Sequence, residues 1–190
     1  AVGATVIRKS LTIESIDQNR RKLRYVGNTT QPGRFLVDSL TPGTPLTLRS
    51  LAMEFYRDPG SSRTTVGIRV NPGLRGKVFM DHMSVDNGTV RPQLSTLLMD
   101  FDSQLSELWL RNTRMIAKDT LPGDGCVGAI LDKDGSDVLR CNCRILVIED
   151  SELIAGSAAF IRYNGCSNQA PFGGDGGTGI WADVDATSFT

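Results

Sequence analysis

The chain has 190 residues, of which 39% are hydrophobic and 6% aromatic, and its 21 basic residues equal its 21 acidic residues in number. This length suits one well-buried core. No apolar run approaches the roughly 18–20 residues that span a bilayer, so we expect a soluble protein without a membrane partner. The charges that sum to zero are unevenly distributed between the two parts of the chain. Residues 1–77 carry thirteen Lys and Arg against five Asp and Glu, whereas residues 78–190 carry eight against sixteen. Such a split predicts a polyanionic partner or self-complementary surfaces.

The densest basic positions lie near the start of the chain, at Arg8, Lys9, Arg20, Arg21, Lys22 and Arg24. Long cationic side chains release counterions when they contact phosphates, and this contact needs no particular fold. The six residues are therefore predicted to form a nucleic-acid-binding site. A solvated strand or loop face is the alternative.

Short strands separated by turn residues are predicted over the first half of the chain. Residues 46–57 alternate in polarity in two parts that are offset by one residue at Ser50, which a β-bulge would accommodate. The turn at 58–62 then leads to a strand at 64–70, a pattern typical of a hairpin. Another strand is predicted at 77–80.

One amphipathic helix is predicted between Pro92 and Trp109. Its apolar positions, spaced like one helical face, are Leu94, Leu97, Leu98, Phe101, Leu105 and Leu108. Strands are predicted again at 126–131, 138–148 and 158–163.

These elements predict an all-β fold, an antiparallel β-sandwich or jelly roll with the one helix inserted. Residues 1–163 are expected to form a single β-sandwich domain that includes the basic N-terminal region. Residues 164–190 are expected to be a Gly-rich C-terminal loop or arm. No internal repeat is recognised.

The segment around Asp132, Asp134 and Asp137 places three carboxylates within six residues. A hairpin turn is one interpretation. The functional alternative is a calcium ion shared between subunits, because clustered carboxylates at a subunit contact need a cation to neutralise them. No other cofactor is expected.

Cysteine and histidine give no catalytic pattern. Cys141 and Cys143 are predicted to share an apolar strand face with Ile145 and Val147, so core packing is expected, with a disulfide or zinc as alternatives. His82 stands beside Asp81, but sequence neighbours do not make a catalytic triad. No catalytic residue is predicted.

The segment Gly76-Lys77-Val78-Phe79-Met80-Asp81-His82-Met83-Ser84-Val85-Asp86-Asn87-Gly88 resembles a stretch found in two related groups. One group is the jelly-roll coat proteins of small icosahedral plant RNA viruses. The other is the movement-protein superfamily of plant viruses, in which a strand ends in an Asp that corresponds to Asp81. The coat resemblance implies a β-sandwich subunit that assembles into a shell around RNA, with its basic N-terminal region facing the genome.

The sequence therefore predicts a non-enzymatic viral coat subunit that associates with copies of itself, encloses RNA and resides in the virion and the host cytoplasm. An RNA-binding movement protein, which needs no shell, is the first alternative. A β-sandwich hydrolase that uses paired carboxylates, Asp100 with Asp102 or Asp183 with Asp185, is the second.

Overall fold

The computed structural model describes residues 4–16, 22–26, 34–56, 65–87, 96–117, 137–156, 160–161, 172–173 and 180–182. All regular secondary structure within these residues is β-strand. In chain order the strands are β1 Ala4–Ile7, β2 Thr12–Glu14, β3 Lys22–Val26, β4 Arg34–Val37, β5 Leu46–Arg49, β6 Ala52–Tyr56, β7 Thr65–Val70, β8 Lys77–Asp81, β9 Ser84–Asn87, β10 Thr96–Arg111, β11 Arg114–Ile116, β12 Asp137–Glu149, β13 Glu152–Ile154, β14 Phe160–Ile161, β15 Phe172–Gly173 and β16 Ile180–Ala182.

The chain winds as a coil whose successive turns stack in parallel. Ala4 pairs with Arg34, 30 residues further along, and Leu139 pairs with Ile180, 41 residues further along. A nine-stranded sheet and a five-stranded sheet contain only parallel pairs, and the short pair of β14 with β15 is antiparallel.

Three faces surround the coil axis. The first face contains β1, β4, β7, β16 and the starts of β10 and β12, and the second contains β2, β5, β8 and the ends of β10 and β12. The third face is the five-stranded sheet of β3, β6, β9, β11 and β13. Because β10 and β12 run along two faces, the nine-stranded sheet curls around the core.

A tight corner separates the second face from the third in four successive turns of the coil. Its residues are Ser50, His82, Asn112 and Asp150, whose φ angles lie between 46° and 53°. Asn, Asp and His adopt this left-handed conformation more readily than most residues. Ser50, His82 and Asn112 each donate their N–H to a carbonyl one turn further along, at 3.0 Å. The offset predicted at Ser50 is thus a corner and not a β-bulge.

One continuous core lies inside the three faces. Val37 of the first face, Leu48 of the second and Phe55 of the third belong to the same buried cluster. Tyr25 and Phe55 stack there with their ring centroids 5.0 Å apart. Because alternate residues fill this core along strands such as β5 and β8, the residues between them face outward there, and parallel stacking aligns those in straight rows.

The predicted antiparallel β-sandwich or jelly roll is wrong, as is the hairpin around residues 58–62. In the two large sheets, strands that follow one another in sequence belong to different faces, and each strand's partner lies a full turn of the coil away. Parallel pairing is otherwise typical of α/β proteins, whose connections are helices. The connections that the structure describes contain no helix.

The predicted amphipathic helix is also wrong, because its residues belong to β10. This strand bends between Phe101 and Leu105, where its register with β12 shifts. The alternation of inward and outward residues slips by one position between Leu105 and Leu108, so the buried side chains of Phe101, Leu105 and Leu108 fall four and three residues apart. That spacing imitates the period of a helix.

The alternation of inward and outward residues in β12 slips in the same way between Cys143 and Leu146, the register partners of Leu105 and Leu108. Cys141 and Cys143 are buried, as predicted, and a disulfide joins them with their Cα atoms 5.7 Å apart. Ile145, which was expected on their face, is exposed, while Leu146 and Ile148 pack against the core.

The predicted C-terminal arm falls mainly outside the described residues. Within it, β16 pairs with β12 and extends the nine-stranded sheet. The domain boundary at residue 163 stays a prediction. None of the described residues belongs to a helix with the length and apolarity that crossing a membrane requires.

Candidate ligand-binding site

The outer surface of the second face carries three straight rows of side chains, two with a residue from each of five turns of the coil and one with a residue from each of three turns. The central row is Thr12, Thr47, Phe79, Trp109 and Val147. The corner row, next to the tight corner, is Glu14, Arg49, Asp81, Arg111 and Glu149. The far row, on the other side of the central row, is Lys77, Glu107 and Ile145.

Two aromatic rings form an apolar shelf in the middle of the central row. The half-buried rings of Phe79 and Trp109 meet edge to face, with centroids 5.8 Å apart and planes at 66°. The Arg111 guanidinium lies 5.9 Å from the Trp109 ring centroid. This shelf is the base of a concave site of about 270 Å³ that is lined by Thr47, Arg49, Phe79, Met80, Asp81, Trp109 and Arg111.

The corner row alternates in charge from one turn to the next. Arg49 Nε lies 3.3 Å from Asp81 Oδ2, and Arg111 Nε donates to Glu149 Oε2 at 2.7 Å. Each basic residue thus stands between acidic ones, since Glu14 pairs in register with Arg49. The row offers many hydrogen-bond donors and acceptors while its charges compensate one another.

Asp81 is held as an ionised acceptor at the wall of the site. Partial burial alone would raise the pKa of Asp81, but hydrogen bonds from His82 and Asn112 and the positive charge of Arg49 together lower it. The His82 Nδ1 atom lies 2.8 Å from Asp81 Oδ1. The nearby Ser84 begins β9 on the third face, whereas Asp81 ends β8 on the second face.

Glu107 of the far row holds the indole of Trp109 in place. Trp109 Nε1 donates to Glu107 Oε2 at 3.1 Å, and Lys77 Nζ lies 2.5 Å from Glu107 Oε1. The hydrogen bond from Lys77 lowers the pKa of Glu107, an effect that outweighs burial and that the Trp109 bond reinforces. A chain of contacts from Lys77 through Glu107 therefore orients the shelf before any ligand arrives.

A second group of charged residues lies on the third face around Glu54, which is only 5% exposed. Lys22 and Arg24 form ion pairs with Glu54, and Tyr56 donates its hydroxyl to Glu54 Oε2 at 2.8 Å. Burial would raise the pKa of Glu54, but the bonds and charges of these partners bring it down to about 2. Lys22 and Arg24 thus compensate a buried carboxylate.

The structure describes two of the other predicted nucleic-acid-binding residues, Arg8 and Lys9, and they are not part of the group around Glu54. Arg8 lies beyond the end of β1, with its Nε 3.5 Å from Asp38 Oδ2, and Lys9 beside it is exposed. Arg20 and Arg21 lie outside the described residues. Since Lys22 and Arg24 are on the third face, the described members fall into two groups, and the nucleic-acid-binding site stays a prediction.

The predicted calcium site falls mainly outside the described residues. Asp132 and Asp134 are not among them, and only the backbone of Asp137, the first residue of β12, is described. Within the described ranges, no three His, Cys, Asp or Glu side chains lie close enough together to hold a metal ion. The interface calcium stays a prediction.

The carboxylate pairs of the hydrolase alternative are described in part. Asp100 Oδ2 lies 3.8 Å from Arg69 Nε on the first face. The side chain of Asp102, and both Asp183 and Asp185, are outside the described residues, so this alternative also stays untested.

The sequence interpretation missed the shelf because it assigned Trp109 to the end of a helix. A signal was nevertheless present. Five segments follow one pattern, in which apolar, variable and apolar residues precede a charged residue and then Ser, His, Asn or Asp. They are 11–15, 46–50, 78–82, 108–112 and 146–150. The statement that no internal repeat is recognisable is therefore wrong.

Comparisons of this chain with protein-family models, with curated proteins and with solved structures each found no match. The function is therefore argued from the geometry of the site.

Proposed function

We propose that the protein binds a neutral carbohydrate on the second face, with the sugar ring packed on the shelf of Phe79 and Trp109. The observation that carries this proposal is the combination of an aromatic shelf with a charge-compensated wall of planar polar groups. Ligand sites are typically concave and largely apolar, with a few polar groups that fix orientation. Most of the surface that lines this site is apolar, and its polar groups come from Thr47, Arg49, Asp81 and Arg111.

The chemistry of a sugar ring matches the two parts of the site. One face of a pyranose carries mainly C–H groups, which pack against aromatic rings, and its edge carries hydroxyls that both donate and accept hydrogen bonds. The shelf meets the first requirement. Arg49 and Arg111 supply donors at the edge of the site, and the ionised Asp81 supplies an acceptor.

The charge pattern favours a neutral ligand over a polyanion. A nucleic acid is held mainly by cationic groups that replace its counterions. Arg49 and Arg111 stand next to Asp81 and Glu149 at 3.3 Å and 2.7 Å, so their charges are largely compensated. A neutral hydroxyl can bond to either member of such a pair without breaking it.

The coat-subunit and movement-protein predictions concern different properties and remain predictions. Both expect RNA binding through the basic residues near the start of the chain, and the coat prediction also expects copies of the chain to assemble. The jelly-roll subunit that the coat resemblance implied is not the fold of this chain.

Electrophoresis through gels that contain a neutral polysaccharide tests the proposal. Dextran, amylose, galactomannan and xyloglucan serve as probes, and filter binding of RNA serves as the comparison. We expect at least one polysaccharide to slow the wild-type protein, and Trp109→Ala to abolish the shift. Ile154→Ala is the control, because Ile154 is an exposed apolar residue of the third face. An equal shift in wild type and Trp109→Ala, or no shift with any neutral polysaccharide, would overturn the proposal.

A further inference from the structure

The shelf does not stand alone, because the rows on both sides of it run along the coil axis. Phe79 and Trp109 are register partners on β8 and β10, and the central row continues to Thr47 on β5 and Val147 on β12. Neighbouring strands are about 4.8 Å apart, so these four residues span about 14 Å along the axis.

Charged residues border the shelf on both sides, whereas the far row ends in the exposed apolar Ile145 beside Val147. On the corner side, Asp81 and Arg111 flank the shelf, and on the other side Lys77 and Glu107 form an ion pair at 2.5 Å. A ligand that lay across the strands would cover these paired charges with its apolar ring faces, and burying them would cost free energy. A ligand that lies along the axis keeps its ring faces on the central row and, at the shelf, its hydroxyl edges beside the charged residues.

We infer that the ligand is a linear polysaccharide that lies along the coil axis, so that successive sugar residues contact successive turns of the coil. This inference rests on the proposed carbohydrate binding at the shelf. The central row then provides flanking contacts on both sides of the shelf, at Thr47 and at Val147, and Arg49 and Glu149 are the corner-row residues of those two turns.

A chain-length series with an engineered extension tests this inference. The probes are two neutral series, from cellobiose to cellohexaose and from maltose to maltohexaose, measured by isothermal titration calorimetry. For the series that binds, we expect the affinity of the wild type to rise by about tenfold or more from the disaccharide to the tetrasaccharide and then level off. Val147→Trp lengthens the aromatic row by one turn and is expected to tighten binding of the long oligosaccharides while leaving the disaccharide unchanged.

Ile154→Trp is the matched control, since Ile154 is also an aliphatic residue of the same turn as Val147 but lies on the third face. It is expected to change no affinity. If all lengths bind equally and Val147→Trp has no effect while Trp109→Ala still abolishes binding, the axial inference is overturned and the carbohydrate proposal stands. If neither series binds and gels containing other neutral polysaccharides also give no shift, both fail together.

Discussion

Arg49 and Asp81 are register partners on β5 and β8, and their side chains meet with 3.3 Å between Nε and Oδ2. The pair lies at the centre of the corner row, where every turn of the coil reverses the charge. Because parallel stacking repeats the same position at each turn, a single reversed charge would create two unfavourable neighbours at once. The corner row therefore helps to fix which turn stacks on which.

Reversing one charge in this row should destabilise the fold in a salt-dependent way. Arg49→Glu places a carboxylate between Glu14 and Asp81, and we expect it to lower the free energy of unfolding by about 1 kcal/mol at low ionic strength. Arg49→Gln, the control, should cost about half as much or less. Urea unfolding in dilute and in concentrated sodium chloride measures both. A loss that is unchanged by salt would contradict the role of charge.

The tight corner makes a distinct prediction at Ser50, whose φ is 53°. Glycine adopts this conformation without the steric cost that a side chain pays, so Ser50→Gly should stabilise the protein by about 0.5–1 kcal/mol. Ser84→Gly, in the regular strand β9, should instead destabilise it by a similar amount, because there the added chain entropy has no compensation. Thermal unfolding of both variants tests this difference. Equal changes in stability would contradict the role of the left-handed conformation at Ser50.

Stability should fall in acid because of Glu54. Its pKa is about 2 in the folded protein against an ordinary 4.5, so the ionised carboxylate contributes fully above about pH 4.5 and its contribution disappears as the pH falls through about 2. We expect about 2 kcal/mol, a value reduced by solvent screening at the half-exposed Lys22 and Arg24. Between pH 2 and pH 7, the urea midpoint of Glu54→Gln should depend less on pH than that of the wild type. The exposed Glu152→Gln should retain the wild-type profile.

Glu107 is expected to affect carbohydrate binding indirectly, by orienting the ring of Trp109. Glu107→Ala removes the acceptor of the indole N–H and the partner of Lys77, so we expect weaker polysaccharide binding by about tenfold with a cost in stability of about 1 kcal/mol or less. Glu107→Gln keeps an oxygen that can accept from the indole and should recover most of the affinity. Retardation in polysaccharide gels measures both variants. Equal losses would show that the charge of Glu107, and not its hydrogen bond to Trp109, is required.

The positions of several strands were predictable from the sequence, whereas their pairing was not. The alternation at 64–70, 77–80 and 138–148 predicted strands that the structure confirms as β7, β8 and β12. Alternation reports that one side of a strand is buried, but the same pattern suits a parallel coil and an antiparallel sandwich. The turn residues then favoured hairpins, since a turn between two strands is locally the same whether the strands become neighbours or lie on different faces.

The helix prediction was wrong for a specific reason, and because of it the site was not predicted from the sequence. The slip in the alternation of β10 between Leu105 and Leu108 gave the apolar residues a helical spacing, which hid Trp109 as an outward residue of a strand. The register that brings Phe79 beside Trp109 depends on contacts 30 residues apart in sequence. The sequence signal for this register was the recurring five-residue pattern, whose copies end at Ser15, Ser50, His82, Asn112 and Asp150. The intervals between these copies are irregular.

The most direct test of the carbohydrate proposal is the indole N–H signal of Trp109 in two-dimensional nuclear magnetic resonance during titration with the polysaccharide that slows the protein in gels. The chain has two tryptophans, so Trp109→Phe assigns the signal, and Trp181, whose strand β16 lies on the first face, provides the comparison. We predict that the Trp109 signal shifts in a saturable way while that of Trp181 stays in place. A Trp109 signal that remains fixed at saturating polysaccharide would contradict the account.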